Sequence, residues 1–270
     1  MHSAKQDGAR SKAARPADPG SVGKHDSTDF EKAWYSRFVQ FATLREDDAG
    51  IAGWSPTGLE TRFRFFRGLW RQPSPGGVYL DVGCGAGTYS RWLAEQGMNV
   101  VGADYSHVAL SKAKRRESKN VVYCVADANK LPIRGEGVDG ALCFGVLQAV
   151  SGSRRILEEL ARVIRPGGEV WIDALNGAHP AARWDKLKRR LRGRPMHLRY
   201  ESARSLQQTM REAGFDHVSC HWLMILPRRL YWAHPIAESF IVNFMLRNVP
   251  GLGALTSHSV LLRGVRRHSG

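Results

Sequence analysis

Val78-Tyr79-Leu80-Asp81-Val82-Gly83-Cys84-Gly85-Ala86-Gly87-Thr88 is a short apolar run that enters a glycine turn and continues directly into a helical pattern, Thr88–Gln96. Glycine has no Cβ, so the backbone can turn tightly here and come close to a ligand. After the first strand of an open parallel sheet, such a turn lies at the carboxyl ends of the strands, where ligands bind. The spacing is G-x-G-x-G, with Thr88 standing where a dinucleotide fingerprint wants its third glycine. That departure counts against NAD or FAD. The chain also has no G-x-x-x-x-G-K-[ST] loop to cradle a phosphate. Asp81 sets a carboxylate in the turn itself, which suits an ammonium and repels a pyrophosphate.

Downstream, Val100-Val101-Gly102-Ala103-Asp104 reads as a second strand. The acid at its end can accept both hydrogen bonds of a ribose diol. Val125-Ala126-Asp127-Ala128 closes a third strand at the same edge, and a carboxylate there can accept from the exocyclic amine of adenine. Asp81, Asp104 and Asp127 would then face one cleft. Ser106–Arg116 and Ser153–Ile164 read as helices, and Val121–Ala126, Val138–Phe144 and Glu169–Leu175 as strands. Arg165-Pro166-Gly167-Gly168 stops the helix before it and turns the chain into the next strand. Strands alternating with helices predict an α/β fold built on βαβ units and a parallel sheet.

Upstream, residues 1–28 are poor in large apolar side chains and are expected to form a disordered tail. Phe30, Trp34, Phe38 and Phe41 then recur at helical spacing, and a second helix is expected over Leu59–Trp70. Residues 29–75 thus read as an N-terminal helical lid and 78–175 as the binding core, with insertions and closing strands over 176–270. The first insertion, Gly177–Tyr200, is strongly basic; the second, Pro227–Ser257, is rich in large apolar and aromatic groups. A helix over Ser202–Glu212, a strand around His217–Ile225 and a closing strand at Ser259–Arg263 complete the reading.

The composition bounds the function. With 270 residues, 43% of them hydrophobic and 24% charged, the chain can bury a sizeable core, which excludes wholesale disorder. Lys plus Arg is 40 against 25 Asp plus Glu, and the net charge of +15 favours anionic partners. The 4 cysteines form no CxxC pair, so neither a metal site nor a disulfide framework is expected. No signal-peptide core or 18-residue apolar run occurs, and the expected location is cytoplasmic.

In combination, LDVGCGAG, VVGADYS, ADANKLP, FGVLQAV and ARVIRPGGEVWI resemble the class I S-adenosylmethionine-dependent methyltransferases, in particular the branch that contains the quinone-ring methyltransferases. The resemblance covers about residues 78–175. It implies a Rossmann-like, mostly parallel seven-stranded sheet flanked by helices, with S-adenosyl-L-methionine as cofactor. Asp81, Gly83, Gly85 and Gly87 fall on the family's cofactor loop, Asp104 and Tyr105 on its ribose site, and Asp127 and Ala128 on its adenine-contacting pair. Phe144 falls on a residue that borders the cofactor, and Arg62 near an arginine that some quinone-type relatives place on the cofactor carboxylate. The chain departs from that branch at Gln148, where a histidine is common.

The implied reaction is methyl transfer to an oxygen or nitrogen of a small molecule, such as a natural product, sugar or quinone-like acceptor, anionic or apolar. His179, following the fifth strand, is the candidate general base. Asn176 and Gln148 are further residues that could face the acceptor, and His234 is a weaker base. The aromatic insertion, with Phe240 and Phe244, either roofs an apolar acceptor pocket or packs as core. Two rival readings stand beside this one. Lys186, Lys188, Arg189, Arg190, Arg192 and Arg194 could bind the phosphates of an RNA substrate or acidic lipid headgroups. Alternatively, the fold binds its cofactor without turnover.

Overall fold

The computed structural model describes residues 28–268 except 74, 117 and 227, so the tail expected over 1–28 lies outside the described residues apart from Thr28. Thr28 and Glu31 close a capping box on α1 (Asp29–Leu44), which satisfies two of the orphan amides at its start. A short α2 (Asp48–Ile51) and then α3 (Pro56–Leu69) follow; α3 starts from a Ser55 cap with proline in its first turn.

The alternating core comes next: β1 (Val78–Val82), α4 (Thr88–Glu95), β2 (Asn99–Asp104), α5 (His107–Arg115), β3 (Val121–Val125), β4 (Val138–Cys143), α6 (Arg154–Val163) and β5 (Ile164–Leu175). Beyond it lie α7 (Pro180–Leu191), α8 (Ala203–Glu212), β6 (Phe215–Leu223), α9 (His234–Ala237), α10 (Phe240–Asn248), α11 (Leu252–Thr256) and β7 (Ser259–Arg266). The strands form one 7-stranded sheet in the order β3-β2-β1-β4-β5-β7-β6. Strands β1 to β5 are parallel, and β7 runs antiparallel to both its neighbours. Strand order reverses between β1 and β4, and at such a switch point the connections diverge and leave a crevice at the carboxyl edge.

Alternation along the strands gives the sheet two apolar faces. Leu80 and Val82 of β1 join Ile156, Leu157 and Leu160 of α6 and Leu206 and Met210 of α8. On the other face Tyr79, Leu142 and Trp171 meet Phe66 of α3, Trp70 at its C-terminal cap, and Trp92 and Leu93 of α4. The lid expected over 29–75 is therefore divided. Its third helix belongs to the core of the sheet, while α1 and α2 stand over the crevice.

The Arg165–Gly168 segment turns the chain inside a strand as well as ending a helix. β5 begins at Ile164, which pairs with Val138, and the register resumes at Gly140 and Glu169, so the residues between bulge out. At the opposite end of β5, the Asn176 side chain donates to the carbonyls of Ala254 and Ser257, at 2.7 Å each. The roots of the two insertions are thereby joined at the carboxyl edge.

Candidate active site

Glycine at the turn after β1 is required by both torsion and space. Gly83 and Gly87 have φ of +72° and +78°. A Cβ on Gly83 would stand 2.3 Å from Val146 Cγ2, and one on Gly87 2.4 Å from the Tyr123 hydroxyl oxygen. Gly87 serves as the left-handed N-cap residue of α4 and stands behind the cleft, whereas Gly83 and Gly85 line it.

The three strand-end acids converge on one cavity of about 990 Å³. Asp104 is fixed by two backbone donors, Gly85 N–H to Oδ2 at 2.9 Å and Ser106 N–H to Oδ1 at 2.8 Å. Each oxygen can accept a further hydrogen bond. Burial raises the Asp104 pKa, against the pull of those two donors. Asp81 is only 2% exposed and accepts from the Ser90 hydroxyl at 2.6 Å. Burial, reinforced by the nearby Asp104 charge and opposed by Ser90, pushes its carboxyl up to about 6. Asp127 Oδ1 accepts from the backbone and side-chain amides of Asn129, at 2.8 and 3.0 Å. Tyr105, Ala128 and Phe144 complete the wall with these acids.

Two of the residues singled out from sequence stand elsewhere. Arg62 is buried beneath the cleft wall. Its Nε donates to Asp173 Oδ2 at 3.0 Å, its other nitrogens to Gly58 O and Ser259 Oγ, and its guanidinium lies 4.5 Å from the Trp54 ring centroid. The strong charge partner supplied by β5 draws this arginine into the core, and it is not part of the cavity lining. His179 is the N-cap of α7, where its Nδ1 accepts from Ala181 N–H and its ring sits 6.1 Å from that of His258. Burial lowers its pKa. The helix start uses the lone pair that a general base needs, and the ring is not part of the cleft lining. Among the described residues, no histidine lines the cleft.

The further acceptor-site candidates separate similarly. Asn176 is held between two carbonyls, and Gln148 and His234 are buried outside the cavity. Phe240 and Phe244 neither roof the cleft nor pack as core, because both are exposed. Other lining residues come from the first helices. Tyr35 and Phe38 of α1 lie 5.1 and 6.0 Å from the Tyr105 ring. Asp48 of α2 accepts from the Thr88 hydroxyl, from Arg91 Nη2 at 2.7 Å and from Arg116, which fastens α2 across the glycine turn. Phe38 belongs to the helical pattern in the sequence. Asp48 sits in a four-residue helix with no periodicity to mark it.

Comparison with known proteins bears on the family and the fold. The methyltransferase-domain family matches residues 80–172. The demethylmenaquinone methyltransferase of Clavibacter sepedonicus is 36% identical over 113 residues, 38% of this chain and 46% of that protein. The ubiquinone biosynthesis O-methyltransferase of Dechloromonas aromatica is 34% identical over 101 residues, 36% of this chain and 44% of that one. The chain thus spans less than half the length of these curated relatives. Among solved structures, phosphoethanolamine N-methyltransferase 2 of Haemonchus contortus, in complex with phosphomonomethylethanolamine and S-adenosylhomocysteine, superposes with a TM-score of 0.62. That match covers 90% of this chain and 61% of the other at 18% identity, and it speaks to the fold alone. Residues 80–172 thus match the methyltransferase-domain family, and the strand order and motif positions agree with the class I S-adenosylmethionine-dependent methyltransferase fold.

Proposed function

We propose that this chain transfers a methyl group from S-adenosylmethionine to an oxygen or nitrogen atom of a small molecule. The observation that carries this reading is the convergence of Asp81, Asp104 and Asp127 on one cavity beside a glycine turn. The cavity suits the cofactor in shape and charge. A Cβ on Gly85 would have no close neighbour, the nearest being Ile51 Cγ2 at 4.0 Å, so the turn leaves room for a ligand against its backbone. The buried Asp81 carboxyl, raised to about 6 by its burial, would have its ionised form favoured by a cation bound beside it.

In this reading Asp104 holds the ribose diol, Asp127 and Ala128 the adenine, and Asp81 the cationic methionine end. Tyr105 and Phe144 border the bound molecule. Gly83 and Gly85 allow the close approach, and Gly87 supports it by starting α4. The cofactor, when bound, supplies an already activated methyl group, so the protein's task is alignment. Phe144, Val146 and Ile51 give the cavity an apolar wall, while α1 lines its side with Trp34, Tyr35 and Phe38. We assign no side chain as general base; a phenolic or hydroquinone hydroxyl, which gives up its proton more easily than an alcohol, suits such a site.

Two measurements examine the cofactor half of the proposal. Asp104→Ala should raise the dissociation constant for S-adenosylmethionine by about 5- to 150-fold, a loss of about 1–3 kcal/mol of charge-assisted hydrogen bonding. Calorimetry reads it, with Asp104→Asn as the variant that keeps the shape; unchanged affinity would remove Asp104 from the ribose site.

The second concerns pH. The folded Asp81 carboxyl, at about 6, holds its proton more tightly than the unfolded one at 3.8. Its contribution to stability is therefore fully present below about pH 3.8 and is lost as the pH rises through about 6. A cation bound beside it favours the ionised form, so binding at about pH 6 should release up to about half a proton, and affinity should strengthen between about pH 5 and pH 7. Titrations in buffers of different ionisation enthalpy detect that proton, and Asp81→Asn should abolish it.

The transfer half is tested by incubating the protein with methyl-labelled S-adenosylmethionine and a fractionated extract. Label in small molecules is expected. Label in RNA would transfer the assignment to the nucleic-acid reading, and bound cofactor with no label in any fraction would leave binding without turnover.

A further inference from the structure

Away from the cleft, both insertions carry apolar side chains where solvent-facing helices carry polar ones. On α7, Trp184, Leu187 and Leu191 are exposed, Leu191 by 77%. At 100° per residue these three share one stripe, and Ala182, the buried residue of α7, lies on the opposite side. Arg183 and Arg190 flank that stripe on one side and Lys188 and Arg192 on the other, all four exposed. On α10, Phe240, Ile241 and Phe244 point outward, Phe240 by 83%, while Leu246 is buried. Both insertions rise from the carboxyl edge of the sheet, where the Asn176 bonds to Ala254 and Ser257 tie their roots together. The Arg64–Glu238 pair at 2.6 Å fixes the segment between α9 and α10 to α3.

A solvated helix places its cations outermost. α7 places tryptophan and leucine outermost and its cations on the flanks, an arrangement that suits the interface of a bilayer. There the acyl region takes the apolar ridge and the headgroup phosphates take the cations. We propose that α7 and α10 dock this chain on an anionic lipid surface. The charge of +15 supplies the long-range attraction. A nucleic acid would satisfy the flanking cations but offers nothing to Leu187, Leu191 or Ile241, which neither pair with phosphate nor stack on bases. A second copy of the chain would bring like charges together around the α7 ridge. Docking of this kind is independent of which acceptor is methylated.

The test is cosedimentation of the full chain with vesicles of phosphatidylcholine alone and of phosphatidylcholine mixed equally with phosphatidylglycerol. Binding is expected to the mixed vesicles, weak to the zwitterionic ones and falling as salt rises. Trp184→Ser with Leu191→Ser, and separately Phe240→Ser with Phe244→Ser, should each lower partitioning by about tenfold or more. Lys188→Gln with Arg192→Gln should lower it by about fivefold per cation removed. All six side chains are exposed, so thermal melts and cofactor affinity should stay unchanged and separate lost docking from lost fold. No binding to the mixed vesicles, or undiminished binding by the serine variants, would overturn the proposal. So would tight binding of polyuridylate in place of vesicles, or a doubling of mass in lipid-free solution that the serine variants abolish.

Discussion

Asp173→Ala should lower the unfolding free energy by about 3–5 kcal/mol, because it leaves a buried guanidinium without its counter-ion. Asp173 is buried on β5 and serves two donors at once, Arg62 Nε on Oδ2 and Gly145 N–H on Oδ1 at 2.6 Å. Alanine would strand both. Water cannot make good the loss, since the side chains of the pair are 7% and 5% exposed. Urea unfolding measures the cost. The double variant Arg62→Met with Asp173→Leu should recover most of it, because removing both charges also removes the penalty for burying them. A single-variant loss below about 1 kcal/mol would mean that the pair behaves as a surface ion pair. Gly145 and Trp54 both line the cavity, so the alanine variant should also bind cofactor more weakly.

Phe66→Ala should cost a comparable amount, about 3–5 kcal/mol, through the cavity it opens. Phe66 is 1% exposed, and its ring stands at the centre of an aromatic cluster. The ring centroids of Phe144, Trp171, Trp92, Tyr89 and Trp70 lie 5.3, 5.4, 5.6, 5.9 and 6.5 Å away. Edge-to-face pairs of this kind add to the simple burial of area. Phe66→Leu should recover part of the loss by refilling some of the volume. Chemical denaturation monitored by circular dichroism reads both variants. A cost near that of a surface substitution would show α3 to be only loosely attached, restoring it to the lid.

These two positions also explain what was legible in the sequence. The parallel core was readable because strand alternation, glycine torsions and strand-end acids are local properties of short segments such as Val78–Thr88 and Val100–Asp104. The fate of Arg62 was not local. Its partners Asp173 and Ser259 lie 111 and 197 residues away, and no spacing rule reaches that far. His179 misled for a related reason. It follows the fifth strand at the ligand edge, but α7 begins immediately after it and takes its ring nitrogen as a cap. Asp48 lacked any pattern at all, since its importance arises only when Thr88, Arg91 and Arg116 gather around it. In the aromatic insertion the sequence gives the right helical spacing of Phe240 and Phe244 and no indication that they face outward.

The position of β7 has a consequence for how the chain acquires its structure. This last strand lies between β5 and β6, and it provides the sheet pairing of β6. During synthesis, β1 to β5 can pair as they emerge, but β6 must wait with an open edge until residues up to Arg266 have left the ribosome. Through that interval Leu223 and Phe215, both buried in the finished sheet, have no strand beside them. A stalled or prematurely terminated chain would therefore present an unpaired hydrophobic strand to the cell. Chaperone dependence and aggregation of nascent chains should be concentrated in that window, after β6 and before β7.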